Sequence, residues 1–345
     1  MIVRPESVDA MKILRLNAHS FPLTALEKTE YEQLGGELIA CEAVGNADPS
    51  LSDAVALAVV SAKVSADLID KLQACQVIAR YGSGTDNVDV PAATAKGIVV
   101  TNVPDFCLSE MADHTMALLL GLARKLLVMD RCTRTGAWQA RVQQKLTRVY
   151  GKKLGLIGFG RIAQAVAERA SSFGLEVCAF DPSFDQAVAV RLNVTPASLD
   201  EVLRTSDFVS LHLPLAQSTF HLIGEEQFQR MKTGAVLINT ARGPVVDEKA
   251  LVRALSEGRI AGAGLDVYEG LSMFEPAPAL LSHPLFSMEN VILTPHCGGC
   301  SQESLEELVH KGARQAVSVL RGEWPRYCVN RDVVPRRQLL ARSDH

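Results

Sequence analysis

The sequence predicts an α/β protein built from two doubly wound parallel-sheet units. Two observations carry this. Short aliphatic, β-branched runs alternate with helical patterns almost from end to end of the 345 residues, the pattern of helices layered on parallel sheets. The alternation also breaks once, after Gly136 and Trp138, where the polar stretch 141–148 leads into a second series. The length suits two domains.

In the first series, strands are expected at Ile13–Leu16, Leu38–Ile39, Val55–Val60, Val77–Ala79 and Ile98–Thr101, with helices at Ser65–Gln73 and Val90–Ala95. A longer helix follows, because Met111, Thr115, Leu118, Leu119, Leu122 and Leu126 recur at helical spacing; Ser109 or Glu110 can start it. In the second series, Leu154–Ile157, Glu176–Phe180, Phe208–Leu213, Val236–Asn239, Ala263–Asp266 and Val291–Leu293 read as buried strands. Helical stretches such as Ile162–Ser171 and Glu248–Glu257 separate most of them. Six strands with right-handed crossovers make a doubly wound sheet. Ser304–Leu320 reads as a helix that returns to the first unit. Residues 331–345 carry Arg331, Arg336, Arg337 and Arg342 with few apolar anchors and read as a surface tail. The expected domains are therefore 1–106 with 300–330, and 107–299, followed by the tail 331–345.

Composition narrows the function. Lys and Arg total 35 against 39 Asp and Glu, a net charge of −4 that disfavours a nucleic-acid surface. Aromatics are 5%, too few for a stacking platform. No apolar run reaches the ~18–20 residues that span a bilayer, and no secretory apolar stretch follows the first residues. Eight cysteines are scattered along a chain large enough to need no disulfide framework, so reduced thiols in the cytoplasm are expected. Cys297-Gly-Gly-Cys300 has the spacing of half a zinc site, but no second CxxC or His pair completes it, so no metal is expected.

The segment 154–163 reads Leu-Gly-Leu-Ile-Gly-Phe-Gly-Arg-Ile-Ala: a strand, a glycine turn and a helix start. Gly158 permits the tight turn, Gly160 lets the backbone approach a pyrophosphate, and Ala163 lets helix pack on strand. The helix N-terminus offers N–H groups and the positive end of its dipole to phosphates. Ile157, Gly158, Phe159, Gly160, Arg161 and Ile162 are thus candidate cofactor contacts. Asp181 stands 23 residues after Gly158, at the end of the next strand. A carboxylate there accepts from a ribose diol and repels a 2′-phosphate. Pro182-Ser183-Phe184 supplies no Arg for such a phosphate, so NAD is expected over NADP. This makes the second unit Rossmann-like.

In open α/β sheets ligands sit beyond the carboxyl ends of the strands. Past the last three strands come Thr240-Ala241-Arg242-Gly243, then Asp266, then Thr294-Pro-His296. An Arg can fork onto a carboxylate, and a His is readily poised for proton transfer near neutral pH. Beside a nicotinamide, such a set suits hydride transfer at a carbon bearing a hydroxyl and a carboxylate. Each of these residues alone is as readily structural as catalytic.

Longer motifs sharpen this. Arg80-Tyr-Gly-Ser-Gly-Thr-Asp-Asn-Val-Asp89, Asn102-Val-Pro-Asp-Phe106, Glu110-Met-Ala-Asp-His-Thr115, the glycine loop, Asn239-Thr-Ala-Arg-Gly243, Gly264-Leu-Asp-Val267 and Thr294-Pro-His296 carry a resemblance that covers residues 70–330. Together they resemble the D-isomer-specific 2-hydroxyacid dehydrogenases, and most of all the branch with the C-terminal-binding proteins. The resemblance implies a flavodoxin-like substrate domain, a Rossmann NAD domain and an active-site cleft between them that closes on hinges near 104–109 and 296–301. It implies that His296 is the acid/base and that Arg242 holds the substrate carboxylate. Arg80, Ser83 and Gly84 would meet that carboxylate from the first domain. Asp266 would hold the nicotinamide amide, and Thr240, Ala241, His212 and Thr115 would line the cofactor.

Two departures stand out. The family has a Glu that pairs with the His and raises its pKa; its usual position here is Leu271. Glu275 keeps the Glu-Pro step and is the preferred partner of His296, with Glu269 as the other candidate. After His296, C-terminal-binding proteins carry an aromatic, whereas this chain has Cys297-Gly298-Gly299. The expected activity is NAD-dependent interconversion of a small 2-oxo acid and a D-2-hydroxy acid. The alternatives are an NAD-sensing scaffold and a dehydrogenase of formate or phosphite type. The apolar helix from Met111 is the expected homodimer surface.

Overall fold

The structure is a computed structural model that describes residues 11–19, 21–43, 49–270 and 283–341. The chain divides into two compact units, Met1–Phe106 with Ser301–His345, and Cys107–Cys300. Each is built on one wholly parallel sheet.

The first unit holds β1 (Met11–Arg15), β2 (Gly36–Ala40), β3 (Ala54–Val59), β4 (Val77–Arg80) and β5 (Val99–Thr101) in the order β2-β1-β3-β4-β5. That is the flavodoxin-like order. Successive strand residues point to opposite faces, and here both faces are covered, which is why the strands read as unbroken apolar runs. Ile13, Ala56 and Ala79 pack on one face with Ala313, Ala316 and Val317 of the helix Gln302–Leu320. Leu14, Leu57 and Ile78 pack on the other with Leu68, Ile69 and Leu72. The returning helix is therefore where the sequence put it, capped by Ser301, whose hydroxyl accepts from the Ser304 N–H.

The helix Ala25–Glu32 has no clear apolar stripe; it buries Tyr31 and the charged Glu27. Glu27 pairs with Arg15 at 2.8 Å, with both side chains fully buried. The arginine's remaining donors reach the Leu16 and Phe21 carbonyls, and its guanidinium lies 5.0 Å over the Tyr81 ring. The guanidinium thus has three bonded acceptors, whereas Glu27 Oε2 is buried without a hydrogen-bond partner among the described residues, and burial raises the Glu27 pKa. The described part of the tail, 331–341, keeps to the surface as expected but is fastened there. Arg336 donates to the carbonyls of Leu72, Gln73, Cys75 and Lys96, and Val333 is buried.

The second unit holds β6 (Lys153–Ile157), β7 (Glu176–Phe180), β8 (Val194–Pro196), β9 (Phe208–Leu211), β10 (Val236–Asn239), β11 (Gly262–Leu265) and β12 (Val291–Leu293). Their order is β12-β11-β10-β9-β6-β7-β8, the Rossmann order with one strand added at an edge. The added strand is β12. Among the described residues there are seven strands, not the six expected; the unexpected one, β8, has three residues and ends in proline, which a sheet accepts at its edge.

The long helix also differs from expectation. It runs Leu108–Ala123 and stops at Arg124; Lys125 is left-handed at φ 49°, and a second helix runs Leu126–Arg134. Ala112, Met116, Leu118 and Leu119 of the first helix pack with Ala163, Val166 and Ile238 inside their own unit. The apolar stripe read as a partner surface is thus largely internal. Several exposed apolar side chains lie just beyond it: Leu126, Leu127, Trp138 and Val142.

Candidate active site

The second sheet places its functional residues by register alone. Phe180, Ile157, Leu211, Asn239, Leu265 and Leu293 pair in one row across six neighbouring strands. The next residue on each strand is therefore brought to one edge: Asp181, Gly158, His212, Thr240, Asp266 and Thr294. The strands are parallel, so this is the carboxyl edge of all of them. The chain order reverses between β6 and β9, where such sheets open a crevice for a ligand. Neighbouring strands lie about 4.8 Å apart, so the Arg242 and His296 loops leave the sheet roughly 10 Å apart.

The glycine turn has the features that a dinucleotide needs. Gly158 is at φ +92°, and a β-carbon there would stand 2.4 Å from the His212 carbonyl oxygen. A β-carbon on Gly160 would meet nothing within 4 Å, which leaves open space over the turn. The helix Arg161–Ser172 starts there with no side-chain cap, so its first N–H groups are available to an anion. Arg161 and Gly160 are exposed, Ile162 is half-buried, and Ile157 and Phe159 are buried. Phe159 stacks on Phe184 at 4.9 Å. These residues fit a pyrophosphate cradled by backbone.

Asp181 Oδ2 accepts from the Phe159 N–H at 2.7 Å and Oδ1 from the Ser183 N–H at 2.7 Å. A carboxylate has about four lone-pair positions, so the side chain is held rigid while positions remain for a ribose diol. Replacing Asp181 with Ala is expected to weaken NADH binding about tenfold and to relax discrimination against NADPH. Fluorescence titration with both nucleotides reads this; an unchanged preference would mean that another residue reads the ribose.

His212 is half-buried and bonds Ser210 Oγ at 2.9 Å. Desolvation pushes its pKa down to about 4, so the ring is neutral at pH 7. Thr115 is fully buried. Its hydroxyl donates to the Met111 carbonyl at 2.8 Å and bonds Thr240 Oγ1 at 3.1 Å. Thr115 thus braces Thr240, which is itself buried.

Arg242 is half-buried and donates to the Ala241 carbonyl at 2.8 Å. Its loop is shaped by Asn239, whose side chain accepts from the Ala241 N–H at 3.0 Å and donates to the Arg242 carbonyl at 2.9 Å. A β-carbon on Gly243 would lie 1.9 Å from the Tyr268 carbonyl oxygen, so this loop closes against the β11 exit only with glycine.

Asp266 is 1% exposed and ties the β12 loop together. Its Oδ1 accepts from Thr294 Oγ1 at 2.6 Å and from the Cys297 N–H at 2.9 Å, and its Oδ2 accepts from the Gly298 N–H at 2.8 Å. Burial alone would raise its pKa; His114, Thr294 and the two N–H groups outweigh burial and hold it below the ordinary carboxylate value. His296 sits inside this turn, exposed, at φ 53°. Its N–H donates to the Asp266 carbonyl at 3.0 Å. A non-glycine residue in the left-handed region is uncommon and is held by its surroundings. Here the Asp266 hydrogen bonds on either side supply that hold. Burial and the Asp266 charge push the Cys297 and Cys300 thiols up.

Glu275 lies outside the described residues. Glu269, the other candidate partner of His296, bonds His221 Nε2 at 2.6 Å and accepts from the Glu248 N–H at 3.3 Å. In the first unit, Arg80 stands at the end of β4 and reaches Asn87 Oδ1 at 3.4 Å. Ser83 is exposed, its carbonyl accepting from Asn102 Nδ2 at 2.7 Å, and Gly84 is half-buried. Asn239, His114 and Tyr268 were not singled out by the sequence reading. Asn239 and His114 lie inside quoted motifs, but nothing in their spacing reveals a bracing role. The Tyr268 hydroxyl donates to the Thr294 carbonyl at 2.8 Å and so secures the same loop.

Residues 116–298 match the family described as D-isomer specific 2-hydroxyacid dehydrogenase, NAD binding domain. A glyoxylate reductase of Korarchaeum cryptofilum is 42% identical over 274 residues, 79% of this chain and 81% of its own. A solved glyoxylate reductase from Paecilomyes thermophila superposes with a TM-score of 0.81 at 30% identity, covering 94% of this chain and 99% of the other. A D-lactate dehydrogenase from Aquifex aeolicus, complexed with NAD and lactic acid, gives 0.80 at 28% identity, covering 90% and 96%. With its strand ends and glycine turn so arranged, the chain belongs to the D-isomer specific 2-hydroxyacid dehydrogenase family, NAD-dependent enzymes that interconvert 2-oxo and D-2-hydroxy acids.

Proposed function

We propose that this enzyme reduces a short 2-oxo acid, with glyoxylate the first candidate, using NADH. Bound NADH supplies the hydride that goes to the 2-oxo carbon. His296 gives a proton to the oxo oxygen during reduction and takes it back in the reverse direction. Arg242 forks onto the substrate carboxylate and polarises the adjacent carbonyl. Arg80, Ser83 and Gly84 would supply the first unit's share of carboxylate binding, and Glu275 would be the partner of His296. Ile157 to Ile162 would hold the pyrophosphate, Asp181 the adenosine ribose, and His212, Thr240 and Ala241 the remainder of the cofactor, with Thr115 acting through Thr240. Asp266 would hold the nicotinamide amide, and its bonds to the His296 turn support a positioning role as well.

The observation that carries this reading is the single register row ending at Asp181, Gly158, His212, Thr240, Asp266 and Thr294. The small Cys297-Gly298-Gly299 segment and the kinship to glyoxylate reductases favour a small substrate over a bulky one. An affinity with the C-terminal-binding-protein branch has no counterpart among the relatives named above, and the enzyme reading is the better supported. The expected homodimer would form on Leu126, Leu127, Trp138 and Val142, a group of exposed apolar side chains next to the long helix; light scattering of the intact chain reads it. A cytoplasmic location, expected from the scattered cysteines of the sequence, is part of this proposal.

The test is a panel of 2-oxo acids with NADH and NADPH, followed at the nicotinamide absorbance. Turnover of glyoxylate, faster with NADH, is expected. No turnover of any member would sink the reductase reading in favour of a scaffold.

A further inference from the structure

Glu269 stands three residues after Asp266 and is a candidate partner of His296, yet both of its carboxylate oxygens are engaged elsewhere. Oε1 accepts from His221 Nε2–H at 2.6 Å and Oε2 from the Glu248 N–H at 3.3 Å. The Glu269 N–H in turn donates to Glu248 Oε2 at 3.0 Å, and Glu248 Oε1 meets His283 Nε2 at 2.8 Å. Two neighbouring carboxylates repel. Here each is met by the backbone N–H of the other and by a histidine ring.

The groups that Glu269 holds frame the Arg242 loop. Segments 221–223 and 244–247 pair beside that loop. The His221 N–H donates to the Pro244 carbonyl at 2.8 Å, the Ile223 N–H to the Val245 carbonyl at 3.1 Å, and the Asp247 N–H to the Ile223 carbonyl at 2.9 Å. His221 lies on one segment and Glu248 directly follows the other, so one carboxylate fastens both. His221 is left-handed at φ 50°, a conformation that its surroundings must hold.

The main chain makes the same connection independently of these side chains. A β-carbon on Gly243, the residue after Arg242, would stand 1.9 Å from the Tyr268 carbonyl oxygen and 2.6 Å from the Glu269 nitrogen. The 268–269 peptide is therefore packed directly against the Arg242 loop, and its N–H is the one tied to Glu248.

We propose that Glu269 is a positioning residue for Arg242. With His221 and Glu248 it holds the loop from which the guanidinium reaches the substrate, and it takes no part in proton transfer at His296. This rests on Arg242 being the carboxylate anchor. The role needs an acceptor for the Glu248 N–H and a bond to His221, not a negative charge. Glutamine meets both needs. Its oxygen accepts from the Glu248 N–H, and its amide donates to His221 Nε2 once the ring proton sits on Nδ1. Alanine meets neither.

The test compares Glu269→Ala with Glu269→Gln in the full chain. The alanine variant is expected to lose about 10–100-fold in kcat/KM for glyoxylate, mainly through KM, with NADH affinity changed by less than about twofold. The glutamine variant should return to within about fivefold of the unaltered protein, and the pH profile of kcat should keep its place in both. A glutamine variant as damaged as the alanine one, or with a displaced pH profile, would show that the charge acts on His296 and would overturn the proposal. His221→Asn keeps a left-handed backbone and serves if the alanine variant misfolds. It should raise KM about threefold or more, and an unchanged KM counts against the proposal. Hydrogen exchange of 221–223 and 243–248 without nucleotide reads the loop apart from activity. Faster exchange in the alanine variant, restored in the glutamine one, is expected; unchanged exchange overturns the proposal. Faster exchange in a protein whose unaltered form reduces no 2-oxo acid would support the bracing of the loop and overturn instead the substrate role of Arg242.

Discussion

Replacing His296 with Asn is expected to lower kcat by about 10²–10⁴-fold, the usual contribution of a positioned acid/base. Asparagine tolerates the left-handed backbone that His296 adopts, so the turn is expected to stay in place. It cannot deliver a proton to the oxo oxygen. NADH affinity should change less than twofold, because the glycine turn and Asp181 lie on other strands. Single-turnover reduction and NADH fluorescence titration separate the two effects. A variant that loses cofactor affinity and keeps its chemical rate would remove His296 from the proposed role.

The second large effect is expected one strand away. Asp266→Asn keeps one oxygen and turns the other into a donor, which then faces the Gly298 N–H or the Cys297 N–H and the Thr294 hydroxyl. An unsatisfied buried donor costs about 1–3 kcal/mol, so a stability loss near 2 kcal/mol is expected. The His296 turn is also released. A misplacement of about 1 Å can cost 10²-fold, so kcat should fall roughly 10–100-fold. The pH dependence carries a sign. The Asp266 pKa is held below its ordinary 3.8, so its contribution is fully present above that value and is lost as pH falls through the folded value. The variant does not titrate there. Its deficit in urea unfolding should therefore be largest at neutral pH and narrow in acid. A deficit that stays constant into acid would show that the carboxylate is not what holds the turn.

Much of this site was legible in the sequence because parallel sheets buried on both faces announce themselves as apolar runs. Once the strands were located, the residue after each strand followed, and the register row joined them at one edge. Local side-chain bracing was not legible. Thr115 lies at helical spacing with leucines, and no periodicity says that its hydroxyl meets Thr240, 125 residues later. Asp266 announced a polar strand end, but its bonds to the turn after β12 depend on backbone geometry that spacing does not encode. The same is true of His114, brought to Asp266 by the packing of a helix on the sheet. Short elements failed for a simpler reason. β8 offers three residues and a proline, and the break at Lys125 is a single left-handed residue in an otherwise helical stretch.

The first unit is assembled from two stretches of the polypeptide that flank the second, and Arg336 ties the later stretch onto the carbonyls around Leu72 and Lys96. The ribosome therefore releases the two units in an order opposite to their numbering. Every described strand of the internal unit precedes residue 301 in the chain, so that unit clears the ribosome first and can condense while its neighbour still lacks a helix and a clasp. Domains fold as they appear during synthesis, so the five strands of the first unit keep one sheet flank bare until the helix Gln302–Leu320 has followed.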